Sequence, residues 1–154
     1  MALTTISGLP AHVLLVHALV VLAPLTALLE ILCALWPVAR RHLVWLVLVL
    51  AAVTTVLTSI TASAGEWFYD QQHHPRDILN THADRGSTMI YFSIALLVVA
   101  VVLAVVHRRE LRAVAPRRMV SVAIALLAVV VGVAATVQMV RIGDSGARAV
   151  WSSD

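Results

Sequence analysis

Four long apolar stretches, at residues 13–36, 43–64, 87–106 and 119–140, constrain this chain more than any other feature. Crossing the hydrocarbon core of a bilayer takes about 20 apolar residues of helix, and each stretch is of that length. The only formal charge inside them is Glu30. Lipid offers no partner to backbone N–H and C=O groups, so segments of this kind must be helical. The expected fold is therefore all-α: a four-transmembrane-helix up-down bundle, with residues 1–154 as a single integral membrane domain. Composition agrees, at 61% apolar, 12% charged and a mean hydropathy of +0.95. Soluble domains are about half apolar and a quarter charged. A disordered tail, a secreted disulfide scaffold and an ordinary cytosolic enzyme are excluded on that ground. One cysteine, Cys33, allows no internal disulfide and no Cys-ligated cluster. The N-terminus lacks a positive region and its first apolar block is span-length, which argues against a signal peptide. Proline punctuation fits too: Pro10 suits a first helical position, Trp36-Pro37 ends the first span, and Pro116 restarts the chain before the fourth.

Charge placement predicts the topology. All eleven basic residues are arginine, and seven of them (Arg40, Arg41, Arg108, Arg109, Arg112, Arg117, Arg118) fall in the two short connections between spans one and two and spans three and four. The positive-inside rule puts those connections in the cytoplasm. Both termini and the loop 65–86 then face outward, N-out and C-out, with six of the eight acids. A pI near 10 is thus explained by topology and not by nucleic acid, which is not an expected partner.

In such a bundle the start of span one, the end of span two and the start of span three meet at the outer face. Five of the seven histidines (His12, His17, His73, His74, His82) collect there with Glu66, Asp70 and Asp84. His17 lies inside span one, where a polar side chain is functional or paired across the bundle. His12 and His17 are about 140° apart around a helix, so they serve different levels or partners. Thr81 and Asp84 have the form of a capping box, which would make His82 the first residue of the third helix. His82 is then either a solvated interfacial residue or a ligand facing His17 or His12. Gly65 ends span two, and Trp67, Phe68 and Tyr69 form an interfacial belt. Glu66 and Asp70 share a face if the helix continues; with two or three histidines they could hold iron, manganese or zinc, or simply form a solvated rim. His73-His74-Pro75 reads as a surface turn. His42 and His107, in the Arg-rich connections, read as helix-end residues at the headgroup boundary.

Deep in span one, an ionised Glu30 would be costly, so it is carried as a neutral acid or paired with a loop arginine; a proton relay and a structural hydrogen bond are the two readings. Thr54, Thr58 and Thr61 recur at helical spacing, with Thr55, Ser59 and Ser63 nearby, as glue for close packing. Gly132, Thr136 and Gln138 add to span four.

Several segments together resemble a bacterial membrane family, domain of unknown function 2231. Gly8-Leu9-Pro10-Ala11-His12-Val13-Leu14-Leu15-Val16-His17-Ala18 is similar to its HPxxVHFP start, with Ala11 in place of the usual proline. An acid at Glu30, the segment Thr61–Asp70, a histidine at His82 and the closing Arg141–Trp151 are similar as well; Asp144 stands where many relatives carry histidine. Relatives fused to Rieske-type iron–sulfur domains imply a redox neighbourhood, and the bacterial inner membrane as the location. Three readings follow. One is a redox-associated subunit binding b-type haem or a metal through the outer histidines, with His12, His17 and His82 as ligands and Arg85 and Arg141 against haem propionates; its partner would be a membrane oxidoreductase or Rieske-type protein. The second is a non-catalytic accessory or assembly subunit of a larger membrane complex. A third is an ion or proton pathway using Glu30 below and the histidine cluster above. No nucleophile–base motif or phosphate loop assigns an enzymatic reaction.

Overall fold

The computed structural model describes residues 5–6, 9–70, 77–112 and 116–151, with side chains omitted at 1–14, 68, 70–79, 113–115 and 149–154. Four long helices make up nearly all of it: α1 Ala11–Leu35, α2 Pro37–Asp70, α3 Asp77–Leu111 and α4 Arg118–Trp151. Before them, β1 Thr5–Ile6 and β2 Leu9–Pro10 form a short antiparallel ladder pairing Thr5 with Pro10 and Ile6 with Leu9. Pro10 therefore closes this ladder and does not open α1, as the sequence suggested; Ala11 opens it. Successive helices pack side by side, α4 returns against α1, and α1 touches α3 across the diagonal. Each helix carries a stretch long and apolar enough to cross a bilayer: Leu15–Leu35, Pro37–Trp67, Asn80–Leu111 and Arg118–Arg148.

The helices outrun the apolar stretches, and several sequence-based boundaries are corrected as a result. α2 does not stop at Gly65 but continues to Asp70. At 34 residues it is about 51 Å long, beyond the roughly 30 Å of hydrocarbon. α3 begins at Asp77, so Thr81 lies a turn inside it and is not its N-cap. α4 runs through Gly143 and Gly146 to Trp151. Backbone hydrogen bonding continues wherever water or headgroups replace lipid, which hydropathy does not see. The link between α1 and α2 is the single residue Trp36, whose N–H reaches Leu32 O at 2.9 Å and whose carbonyl accepts from Arg40 N at 3.0 Å. Pro37 fits the first position of α2 because that N–H has no helical acceptor.

Lipid removes the hydrophobic drive between helices, so close packing of small side chains has to supply it. The interior agrees: Ala23, Ala27, Ala51, Ala100, Ala104, Ala128 and Ala135 are buried, and Leu96, Leu103, Val44, Val47 and Val99 fill the rest. α1 and α4 approach closely at Gly132, where a Cβ would stand 2.9 Å from Ile31 Cδ1 and 3.4 Å from Ala27 Cβ. Pro24 interrupts the hydrogen-bond ladder of α1, and Thr26 Oγ1 two residues on donates to Leu22 O at 2.7 Å. Large apolar side chains such as Val21, Leu28, Val56, Val130 and Val140 cover the outside.

Candidate functional site

Many polar side chains of the spans point inward, while His17, Ser59, Ser63 and Tyr91 are exposed. Thr26 and Glu30 on α1, Thr54, Thr58 and Thr61 on α2, Ser93 on α3, and Gln138 and Ser145 on α4 are all buried. The threonine series behaves as its spacing predicts. Thr58 Oγ1 donates to Thr54 O at 2.7 Å and Thr61 Oγ1 to Leu57 O at 2.7 Å, while Thr26 and Thr54 hydroxyls face each other at 3.4 Å between α1 and α2. Thr55 Oγ1 reaches across to Ser93 O at 3.1 Å, and Gln138 Nε2 donates to Arg85 O and Thr88 Oγ1 at 3.0 and 2.9 Å.

Glu30 is the exception. Its side chain has no exposure, yet neither carboxyl oxygen has a hydrogen-bond partner among the described residues. Sequence reasoning offered a loop arginine or a structural hydrogen bond, and neither is found among the described residues. Arg40, the nearest arginine along the turn, is engaged elsewhere. Its Nε and NH2 groups donate to Glu110 Oε2 and Oε1 at 3.2 and 2.6 Å, and its NH1 group donates to Cys33 O at 2.8 Å. This clamp joins three helices at the Arg-rich end and satisfies a carbonyl at the C-terminus of α1, where the helix dipole also favours a cation. One turn before Glu110, His107 is only 5% exposed, with Nδ1 unpartnered among the described residues and its ring edge-on to Trp45 at 6.2 Å. The expectation of a headgroup-boundary histidine is corrected here for His107, while His42 is exposed as expected. Arg108 lies over the other part of that assembly, its Cζ 5.1 Å from the Trp45 ring.

At the opposite end, which carries both termini, a cavity of about 50 Å³ opens between the helices. Val16, Thr58, Thr61, His82, Gly86 and Ile142 are among its lining residues. His82 is half-buried and stitched to α4: its Nδ1 lies 3.2 Å from Ile142 O and 3.3 Å from Ser145 Oγ. A Cβ at Gly146 would stand 3.1 Å from His82 Cε1, so the glycine lets the ring seat against α4. His17 is on the exposed side of α1 and does not line the cavity; Val16, one residue earlier, does. Of the three histidines proposed as haem ligands, His82 lines this cavity and His17 does not. The space beside His82 is small against the roughly 300 Å³ or more of ordinary cofactor pockets. Arg85, assigned to a propionate, instead donates from NH1 to Arg141 O at 3.1 Å, and the Arg141 side chain is exposed. Glu66 is exposed on the continuous α2, which puts it one turn from Asp70 as required for a shared face. The side chains of His12 and Asp70, and both histidines at 73 and 74, lie outside the described residues. Among the described residues no group of three or more His, Cys, Asp and Glu side chains is placed to hold a metal ion.

Four apolar, span-length helices that enclose a set of buried polar side chains define a multi-pass integral membrane bundle. The chain belongs to the family DUF2231, described as a predicted membrane protein, whose model matches residues 8–154. No curated protein matches the chain, and no solved structure does.

Proposed function

We propose that this membrane protein binds and releases a proton inside the bilayer, at Glu30. The observation that carries the reading is the fully enclosed carboxyl with both oxygens unpartnered among the described residues. A carboxylate charge in such a place is costly, and a proton is the ligand that removes the cost. Thr26 and Thr54 lie one turn away toward the termini, and Thr58 and Thr61 continue from them to the cavity beside His82. Infrared spectra of reconstituted protein test it. A protonated carboxyl band present in neutral buffer, declining as the medium is made alkaline, is expected in the native chain and absent from Glu30→Gln. Identical spectra for the two proteins would remove the reading.

With seven of the eleven arginines at the opposite end, we place both termini on the outer side of a bacterial inner membrane. A second reading, an accessory subunit of a larger membrane complex with a redox enzyme as its class of partner, is favoured by His17. His17 stands on the exposed side of a spanning helix, on a surface that a neighbouring protein would cover. His17→Leu is then expected to release the chain from its native assembly, seen as a smaller particle in mild detergent, while leaving the Glu30 band in place. An unchanged particle size would remove the accessory reading.

A further inference from the structure

We propose that Glu30 exchanges its proton with one end of the bundle only, the end that carries the termini, and that the Arg40–Glu110 clamp over an apolar plug seals the other. This inference rests on the proton-binding reading of Glu30 and assigns its access. The two directions away from Glu30 are built differently. Toward the termini, hydroxyls recur at nearly every turn of α2: Thr54, facing Thr26 at 3.4 Å, then Thr58 and Thr61. Thr58 and Thr61 donate to carbonyls of their own helix at 2.7 Å, and a hydroxyl oxygen carries two acceptor lone pairs besides its proton. Thr58 and Thr61 then line the cavity of about 50 Å³ that His82 and Gly86 border. That volume holds roughly one or two waters, with hydroxyl and imidazole groups as partners.

Toward the Arg-rich end the wall is apolar. Cys33, Val44, Val47, Ala51, Val99, Ala100, Leu103, Ala104 and Ala128 form one buried cluster, and no hydroxyl is among them. Beneath the cluster lies the Arg40 guanidinium, 7% exposed and fixed by three donors to Glu110 and to Cys33 O. A fixed cation in a narrow, dry passage repels an approaching proton, as charged constrictions do in selective pores. Among the described residues, the buried and partly buried ionisable groups of this region are Cys33 on α1, Arg40 on α2, and His107 and Glu110 on α3, with Arg41, His42, Arg108 and Arg109 exposed around them. At the level of Glu30, α4 presents Ala128, Val131, Gly132 and Ala135. Arg40 is thus the group that sets the field on the closed side.

The test uses full-length protein in vesicles of known orientation, with the pH on the two sides set independently. A membrane-permeant carbodiimide modifies protonated carboxyls, and the Glu30 adduct is followed by mass spectrometry. Its rate is expected to change with the pH on the termini side by severalfold and to ignore the pH on the Arg-rich side. Arg40→Gln should make it respond to both sides, and Thr58→Val should slow the response to the termini side without touching Glu30 or the clamp. A native rate that follows the Arg-rich side, or both sides equally, overturns the one-sided access while leaving proton binding at Glu30 standing. An Arg40→Gln chain that is monodisperse and still responds to one side overturns the seal. Absence of any Glu30 adduct at any pH overturns the proton-binding reading and this inference with it.

Discussion

The Arg40–Glu110 clamp gives the sharpest energetic expectation. Two parallel N–H donors meet the two carboxylate oxygens at 3.2 and 2.6 Å, and a third donor takes Cys33 O at 2.8 Å. Side-chain exposures are 8% for Arg40 and 22% for Glu110. A surface pair would be worth at most about 1 kcal/mol. Breaking a fully buried one costs about 3–5 kcal/mol, because the surviving charge is left without a partner. Glu110 keeps enough contact with its surroundings to relax, so Arg40→Leu is expected near the lower bound, about 3 kcal/mol. Arg40→Lys should fall between the two, since an ammonium keeps the charge but loses the two-pronged fit. Unfolding in mixed micelles, titrated with a denaturing detergent, measures both. A double-mutant cycle with Glu110→Leu should return a coupling of about 2 kcal/mol, within the range found for residues in direct contact. If the two single losses add to the double loss within about 0.5 kcal/mol, the pair is not energetically coupled and the clamp has no force as a seal either.

Two glycines yield further expectations. At Gly132 an added Cβ meets the mobile tip of Ile31 at 2.9 Å, so Gly132→Ala should be near neutral, its helix-propensity gain of about 1 kcal/mol offsetting the shift of Ile31. Gly132→Leu forces α1 and α4 apart and should cost about 1–3 kcal/mol in the same unfolding assay; a Leu variant as stable as the native chain would mean that the helices do not approach closely there. At Gly146 the obstacle is the His82 ring at 3.1 Å, held by Ser145 and Ile142 O. Gly146→Val should displace that ring, changing the imidazole nitrogen shifts of His82 in NMR spectra, and shifts equal to the native ones would show that the ring does not sit on α4.

The spans could be read from the chain because lipid forces one answer on any apolar run of that length. Helix ends could not: residues 65–70 and 141–151 are polar enough to leave the bilayer yet keep their backbone hydrogen bonds, and hydropathy reports only the solvent. Thr54, Thr58 and Thr61 were legible because a period of three and four fixes one face. The same arithmetic also carried signals that were passed over. The buried residues of α1 run Leu19, Ala23, Thr26, Ala27, Glu30, Cys33, and Val16 extends that stripe while His17 falls off it. On α3 the stripe Val99, Leu103, Val106 leads directly to His107, so its burial followed from periodicity although its arginine neighbours suggested solvent. The Arg40–Glu110 pair, separated by 70 positions, had no local signature. Gly146 likewise shows its purpose only once His82 is seen against α4, because a close approach between helices leaves no period in either sequence.

A bundle in lipid has to be held by what its helices do to each other, and here several inward-facing polar side chains serve that end, while Thr58, Thr61 and Ser93 bond to carbonyls of their own helices. Gln138 ties α4 to α3, Thr55 ties α2 to α3, His82 ties α3 to α4, and Arg40 ties α1, α2 and α3. Glu30 ties nothing among the described residues, and an apolar side chain of the same size would remove its desolvation cost without losing a bond. His107 Nδ1 shares that isolation, but it lies one turn from the partly exposed Glu110 and near the helix end, where the cost is smaller. Stability alone therefore argues against a glutamate at position 30. An ionisable group that lowers stability is expected where it has a role, and an acid enclosed between a hydroxyl ladder on one side and an apolar plug on the other is the arrangement from which proton uptake at Glu30 is proposed.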